Sequence, residues 1–177
     1  DWRLMFRWTN QIAGASDAWI EVAVRNLAGL HAPLWNSPEL AQLDWTTGGA
    51  GEEFARYVEM ATPVFLSRYA DRLAIEDQEV LSRFAERAQQ WVARRPVDRT
   101  LVHGDYRLDN LLFDPTPGGS PIAVVDWQTC THGPALQDVA YFIGAGLDAP
   151  TRREGEQDLV RGYHAGLLAA GVDGYAW

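Results

Sequence analysis

The stretch "HGDYRLDNLLFD", residues 103–114, packs one histidine, three aspartates, an arginine and an asparagine directly ahead of an apolar run. It is preceded by the short apolar run "TLV" and followed by "DPTPGGSP", a dense turn signal, and then by "IAVVDW". Leu111–Phe113 and Ile122–Val125 therefore read as the two arms of a β-hairpin. In antiparallel pairing, positions equidistant from the turn face each other. Asn110 and Asp126 each stand eight residues from Gly118, so this reading sets them side by side at the open end. Asp105, five residues before Asn110, lies on the loop feeding that same end.

Three oxygen-bearing side chains brought together in this way suit a particular chemistry. A carboxylate and an amide oxygen are hard ligands of the kind Mg²⁺ takes in ones or twos, completing its shell with water and phosphate oxygens. A second carboxylate left free beside the ion can orient a hydroxyl and accept its proton. Together these are the minimal parts for phosphoryl transfer, where positioning and charge neutralisation supply most of the catalysis.

Composition narrows the field. The chain has 177 residues, 47% of them hydrophobic, enough to bury a core as one domain or one large lobe. No apolar run approaches the roughly 18 residues of a membrane helix, and the first ten residues lack the apolar core of a secretory signal, so a cytoplasmic location is expected. The net charge of -9 disfavours a phosphate backbone as partner, so neither nucleic acid nor membrane is expected. Cys130 is the only cysteine, which excludes an intrachain disulfide and reads as a buried small apolar residue. All 15 basic residues are arginine, so any mechanism needing a lysine from this chain is excluded.

The first hundred residues read as mostly helical. From Asp17, with Ser16 or Asp17 as N-cap, Ile20, Ala23, Val24, Leu27 and Leu30 share one face until Pro33. Residues 31–51 are irregular, with Trp35 and Trp45 expected to pack them down. A second helix starts near Glu52 with Phe54, Tyr57, Val58 and Ala61 on one side, kinked or divided at Pro63. A third carries Val80, Leu81, Phe84, Ala88, Trp91 and Val92 as one stripe and ends at Pro96. Near the C-terminus, Thr151 and Glu154 stand at capping-box spacing, Leu159, Tyr163 and Leu167 form a stripe, and Gly171 marks the stop. "RLMFRW", residues 3–8, reads as a short strand.

The kinase catalytic loop has the form H-R-D-x-x-x-x-N followed by a metal-binding D-F-G, and here stand "HGDYRLDN" and then "DWQ". Four such residues at fixed spacing arise by chance in about one chain in 1,000 of this length. With Gly after the His and "DWQ" in place of "DFG", the sequence resembles the aminoglycoside phosphotransferase and choline-kinase-like family. "LAGLHAPLW" upstream and "GPALQDVAYFIG" downstream are similar to that family's flanking helices. The resemblance implies Asp105 as the base orienting the acceptor hydroxyl and Asn110 and Asp126 as the Mg²⁺ ligands beside ATP. It implies His103 as the catalytic-loop histidine holding the loop to the metal-site backbone, and Gly104 as a point of close approach. Arg107 would face the transferred phosphoryl group, although a surface salt bridge also explains it. Asp138 would accept hydrogen bonds from the catalytic-loop backbone. His31, His132 and His164 read as structural histidines, Asp109 and Asp114 as turn residues, and Trp127 as packing under the metal loop.

The expected protein is α+β: the mainly helical C-terminal lobe of a kinase-like fold, a short hairpin carrying the metal ligands, and no N-lobe. Residues 1–10 would form a hinge or last N-lobe strand, 11–100 the helical part, 101–128 the catalytic loop and metal hairpin, and 129–177 the C-terminal helices. Such an enzyme would transfer the ATP γ-phosphoryl group to a small-molecule hydroxyl. The acceptor would be cationic if Asp44, Glu52, Glu53 and Asp148 line its pocket, though a solvated acidic surface explains them equally. A glycine-rich phosphate loop and a strand lysine are missing, so the chain is either one lobe of a longer enzyme or a non-catalytic pseudokinase or interaction module. A metal-dependent phosphohydrolase using His103, Asp105 and Asp126 needs more metal ligands than the spacing offers. No G-x-S-x-G exists to support a serine hydrolase.

Overall fold

The computed structural model describes residues 7–8, 10–46, 50–93, 98–114 and 121–177. Along the chain run β1 (Arg7–Trp8), α1 (Asp17–His31), α2 (Ala50–Tyr69), α3 (Ile75–Ala93), β2 (Arg99–Val102), β3 (Leu111–Phe113), β4 (Ile122–Val124), β5 (Thr131–Pro134), α4 (Leu136–Gly146) and α5 (Ala149–Ala169). Helices dominate, and the strands form two small antiparallel sheets, ordered β1-β3-β4 and β2-β5. The chain divides into two compact units, Asp1–Thr47 with Asp98–Trp177, and Gly48–Val97.

In the first unit α1 is the central element. Its 3.6-residue period buries Ile20, Ala23, Val24, Leu27, Ala28 and His31. Leu30, expected on that face, is only partly buried, and the wider stripe turns inward through His31 instead. Ser16 occupies the N-cap in extended backbone without a side-chain capping bond. On the far side, α5 approaches α1 closely enough that a Cβ on Gly166 would lie 2.8 Å from the Cβ of Ala28. Trp19 of α1 stacks on Phe113 of β3 with ring centroids 4.7 Å apart and planes 3° apart. Tyr106, Leu108 and Leu111 are fully buried in the same cluster, so the 103–114 stretch forms part of the core.

The hairpin exists, but its register differs by one residue from the expected one. Leu111 pairs with Val124, Leu112 with Ala123 and Phe113 with Ile122. The ladder continues outward, since the Val125 N–H donates to the Asn110 carbonyl at 3.0 Å, so Asn110 faces Val125 rather than Asp126. It continues toward the turn too, where the Asp114 N–H donates to the Pro121 carbonyl at 3.1 Å. Symmetry about Gly118 therefore misplaces the turn centre by half a residue; residues 115–120 lie outside the described ones. β1 covers only the last two residues of the expected strand, pairing Arg7 with Phe113 and Trp8 with Leu112, and residues 3–6 lie outside the described set.

Other expectations need correction. The 31–51 region contains three short 3₁₀ turns, and Trp45 is 60% exposed while Trp35 packs edge-on against Tyr175. Helix α5 is capped by Asp148, not Thr151: its carboxylate accepts from the Thr151 N–H at 3.1 Å and the Thr151 hydroxyl at 2.7 Å. The cause is Pro150, which suits the first turn and moves the start one turn upstream. Cys130 is only partly buried. Asn36, in left-handed backbone with φ 52°, ties the segment after the first 3₁₀ turn to the start of β2. Its Nδ2 donates to Asp98 Oδ1 at 2.7 Å, its N–H to the Arg99 carbonyl at 2.7 Å, and its Oδ1 accepts from the Arg99 N–H at 3.0 Å.

The second unit is the α2–α3 helical hairpin. Helix α2 continues through Pro63, so of the kink or division expected there, the division does not occur. Its buried positions are small, Ala55 with Ala85 and Ala88 of α3, and a Cβ on Gly51 would lie 2.8 Å from Val92 Cγ1. The expected stripes of bulky residues are instead largely exposed: Tyr57 at 71%, Val80 at 54% and Trp91 at 45%. Small side chains set the closest approach of two helices, which leaves bulky neighbours on the flanks.

Candidate functional site

Strand pairing is what assembles the site. Val102 pairs with Thr131 and Thr100 with Gly133, so the loop leaving β2 at His103 lies against the segment entering β5. The two segments are locked together at Gly104, which adopts φ +82°. A Cβ there would sit 2.5 Å from the Thr129 carbonyl oxygen, closer than any real Cβ contact, so the position requires glycine. The Thr129 hydroxyl donates to the His103 carbonyl at 2.9 Å.

Beneath the loop lies Asp138 of α4, fully buried. One carboxylate oxygen accepts the His103 N–H at 2.6 Å and the other the Gly104 N–H at 2.9 Å. His31 from the end of α1 adds a further contact, its Nε2 3.3 Å from Asp138 Oδ2 while its Nδ1 meets the Tyr163 hydroxyl at 2.7 Å. A buried carboxylate is tolerable only when its oxygens are satisfied in this way. Burial pushes the Tyr163 phenol far above its ordinary range, with the Asp138 charge a lesser cause, so this hydroxyl remains a donor.

The His103 ring is also fully buried and both its nitrogens are engaged. Nδ1 accepts the Asp105 N–H at 3.2 Å, and Nε2 donates to the Val125 carbonyl at 2.9 Å. The imidazole thus ties the loop to the residue before Asp126. Trp127 adds a ring against it at a centroid distance of 4.8 Å and donates its indole N–H to the Val124 carbonyl at 3.0 Å.

Asp105 and Asn110 meet directly. Asn110 Nδ2 donates to the Asp105 carbonyl at 2.9 Å and to Asp105 Oδ2 at 3.0 Å. With its NH₂ committed to Asp105, the amide oxygen is the side-chain atom still able to act as a ligand. The Arg107 guanidinium lies 3.3 Å from Asp105 Oδ2 and 4.0 Å from Asp109. Its Nε is enclosed yet makes no hydrogen bond in that pair, leaving one directional donor unspent. Asp126, two residues past β4 and directly before the short 3₁₀ turn Trp127–Thr129, lies in the left-handed region, φ 65° and ψ 62°, and its side chain is exposed. Aspartate tolerates that conformation better than most residues, and the reversal turns the chain out of the sheet at the point where the ligand is expected.

Thus Asp105, Asn110 and Arg107 are in mutual contact, and Asp126 is joined to them through Val125, whose N–H binds Asn110 and whose carbonyl binds His103. Reading the sequence missed three participants. The Tyr141 hydroxyl donates to Asp105 Oδ1 at 3.0 Å. Thr129 forms the wall against Gly104. Gln11 braces the loop from the N-terminal side, its Oε1 accepting the Leu108 N–H at 3.0 Å and its N–H donating to Asp109 Oδ1 at 3.2 Å. The position of Tyr141, three residues after Asp138 and hence on the same helical face, is the one signal that points to it.

Of the acidic residues considered for a cationic acceptor, Asp148 is spent as the α5 cap, and bonds to Thr151 hold its carboxyl below the usual range. Asp44 and Glu53 are exposed, and the Glu52 side chain lies outside the described residues. A cleft of about 490 Å³ between α1 and α5 is lined by Asp17, Glu21, Glu154 and Asp158 among others, but by no catalytic-loop residue. Among the described residues no three His, Cys, Asp or Glu side chains cluster as a metal site. A carboxylate–amide pair lies outside that description, and Mg²⁺ needs no more than one or two protein oxygens. No described helix is long and apolar enough to cross a membrane.

The chain is 31% identical over 135 residues to acyl-CoA dehydrogenase family member 11 of Gallus gallus, covering 74% of this chain and 16% of that protein. The Homo sapiens protein of the same name is 32% identical over 119 residues, 67% of this chain and 14% of its own length. Acyl-CoA dehydrogenase family member 10 of Mus musculus is 48% identical over 59 residues, 32% of this chain and 5% of its own. The chain therefore spans about a sixth or less of the length of these relatives. The profile of the phosphotransferase enzyme family matches residues 3–176, nearly the whole chain, and the protein belongs to that family.

Proposed function

We propose that the chain is the catalytic lobe of a kinase that transfers the γ-phosphoryl group of ATP to the hydroxyl of a small molecule. The observation that carries this reading is the Asp105 carboxylate, held between Asn110 and Tyr141 on a loop whose backbone is anchored by buried Asp138. In that role Asp105 orients the acceptor hydroxyl and takes its proton as the oxygen attacks phosphorus. The Asn110 amide oxygen and the Asp126 carboxylate hold Mg²⁺, which, when bound, neutralises charge on the nucleotide phosphates. The donor set supports this: two hard oxygens, one freed for coordination because its NH₂ is committed to Asp105. Arg107, with one guanidinium N–H unspent, swings from Asp105 to an oxygen of the phosphoryl group in flight. His103 keeps the loop and the Asp126 turn in register. A nucleotide-binding lobe with its lysine completes the reaction, since no lysine exists here. Such an enzyme needs Mg·ATP, and a cytoplasmic setting with neither membrane nor nucleic acid as partner remains part of the proposal.

The relatives' names suggest one class of acceptor, a hydroxyl on an acyl-CoA. A hydroxylated amine is the acceptor that net charge -9 favours. The test assays Mg·ATP-dependent phosphorylation of a 3-hydroxyacyl-CoA, choline and an aminoglycoside by the full-length natural polypeptide. Asp105→Asn should remove transfer to whichever acceptor responds, a loss of at least about 100-fold, while leaving the unfolding midpoint unchanged. Full activity in that variant removes the assigned base. The absence of lysine also favours a second reading, a non-catalytic pseudokinase or interaction module, and failure of the wild-type polypeptide to bind Mg·ATP would select it.

A further inference from the structure

We propose that Tyr141 is a positioning residue for Asp105, aiming its carboxylate at the acceptor hydroxyl through the hydrogen bond from the phenol to Oδ1. The inference rests on the reading of Asp105 as the base and assigns part of its control to helix α4. Three observations carry it. The bond is 3.0 Å long, and the oxygen it engages is not the one that Asn110 and Arg107 hold. Both carboxylate oxygens therefore accept a side-chain hydrogen bond, Oδ1 from Tyr141 and Oδ2 from Asn110, and the Tyr141 bond is what holds Oδ1. Tyr141 stands three residues beyond Asp138, so a single helix grips the loop twice, by its backbone N–H groups at His103 and Gly104 and by its reactive side chain. Burial, and next the bond to Asp105, raise the phenol above its ordinary range, which keeps the hydroxyl a donor throughout the neutral region. The ring is 39% exposed, so it stands at the edge of the site, where an arriving acceptor meets it.

A carboxylate held on one side only can rotate away from the acceptor. Loss of the phenolic hydroxyl then slows transfer without weakening nucleotide binding, and it lets water compete for the phosphoryl group. The experiment uses Tyr141→Phe in the full-length natural polypeptide with Mg·ATP and the acceptor that responds in the screen above, with hydrolysis in water as internal reference. The expected result is a roughly tenfold fall in kcat for transfer, unchanged KM for ATP, and a lower ratio of transfer to hydrolysis. Wild-type transfer, or a proportional fall in transfer and hydrolysis, overturns the proposal. Asp105→Asn separates the two levels: if it retains transfer, the base assignment fails and this inference with it. If Asp105→Asn is inactive and Tyr141→Phe is normal, only the inference fails. A readout independent of turnover is the Asn110 side-chain amide pair in ¹⁵N-labelled protein, which donates to the same carboxylate and must shift in Tyr141→Phe; unmoved resonances overturn the proposal.

Discussion

Replacing Asp138 by asparagine tests the foundation of the loop. The asparagine keeps the shape and one acceptor oxygen but turns the other into an NH₂ facing a backbone N–H, at His103 or Gly104. One charge-assisted hydrogen bond is lost, about 1.5–3 kcal/mol, and a buried donor is stranded at a further cost of about 1–3 kcal/mol. Because Asp138 is fully buried, solvent cannot substitute for either. The sum, about 2.5–6 kcal/mol, corresponds in a domain of this size to a fall in Tm on the order of 10 °C. Differential scanning calorimetry reads the midpoint, and amide exchange at His103 and Gly104 locates the damage. A fall of less than about 2 °C, or exchange at those two amides no faster than in the wild type, would refute the claim that this carboxylate anchors the loop.

Gly104→Ala should destabilise by at least about 2 kcal/mol in urea, combining the left-handed backbone with the Thr129 contact, whereas Gly29→Ala, in open space on α1, should stabilise by up to about 1 kcal/mol. Asp126→Gly relieves the φ of 65° and should raise Tm by a few degrees, about 1 kcal/mol, while abolishing any thermal shift on adding Mg·ATP. His132 is held below its ordinary 6.5 by burial and by Arg99, so its neutral form stabilises the fold above pH 6.5 and that contribution is lost as pH falls below it. His132→Gln should flatten the decline in unfolding midpoint between pH 7 and pH 5.

The family and the hairpin after residues 103–110 were legible because that stretch combines two independent signals, a spacing of polar residues and a turn-flanked apolar pattern. Helix α1 was legible because one periodic face meets the core. The hairpin register was not, since "DPTPGGSP" specifies a reversal but not its centre, and a half-residue error exchanges Val125 for Asp126 opposite Asn110. The bulky stripes of α2 and α3 misled for another reason: periodicity reports which residues share a face, while burial follows the small residues that let helices approach. Strand β5, "THGP", carries too little apolar content to announce itself, although it seats the segment that Gly104 touches. Tyr141 escaped notice because its partner is 36 residues distant and only tertiary packing unites them.

Asn36 carries one last implication. By gripping Asp98 and Arg99 with three hydrogen bonds, it fastens the chain twelve residues ahead of residue 48 to the chain that resumes at residue 98, a seam that lies within one unit. A segment inserted at such a seam can lengthen, shrink or be exchanged wholesale without disturbing the machinery it interrupts. Evolution could thus trade this cassette between enzymes, and a protein engineer could graft one, while leaving the inherited chemistry of the remainder intact.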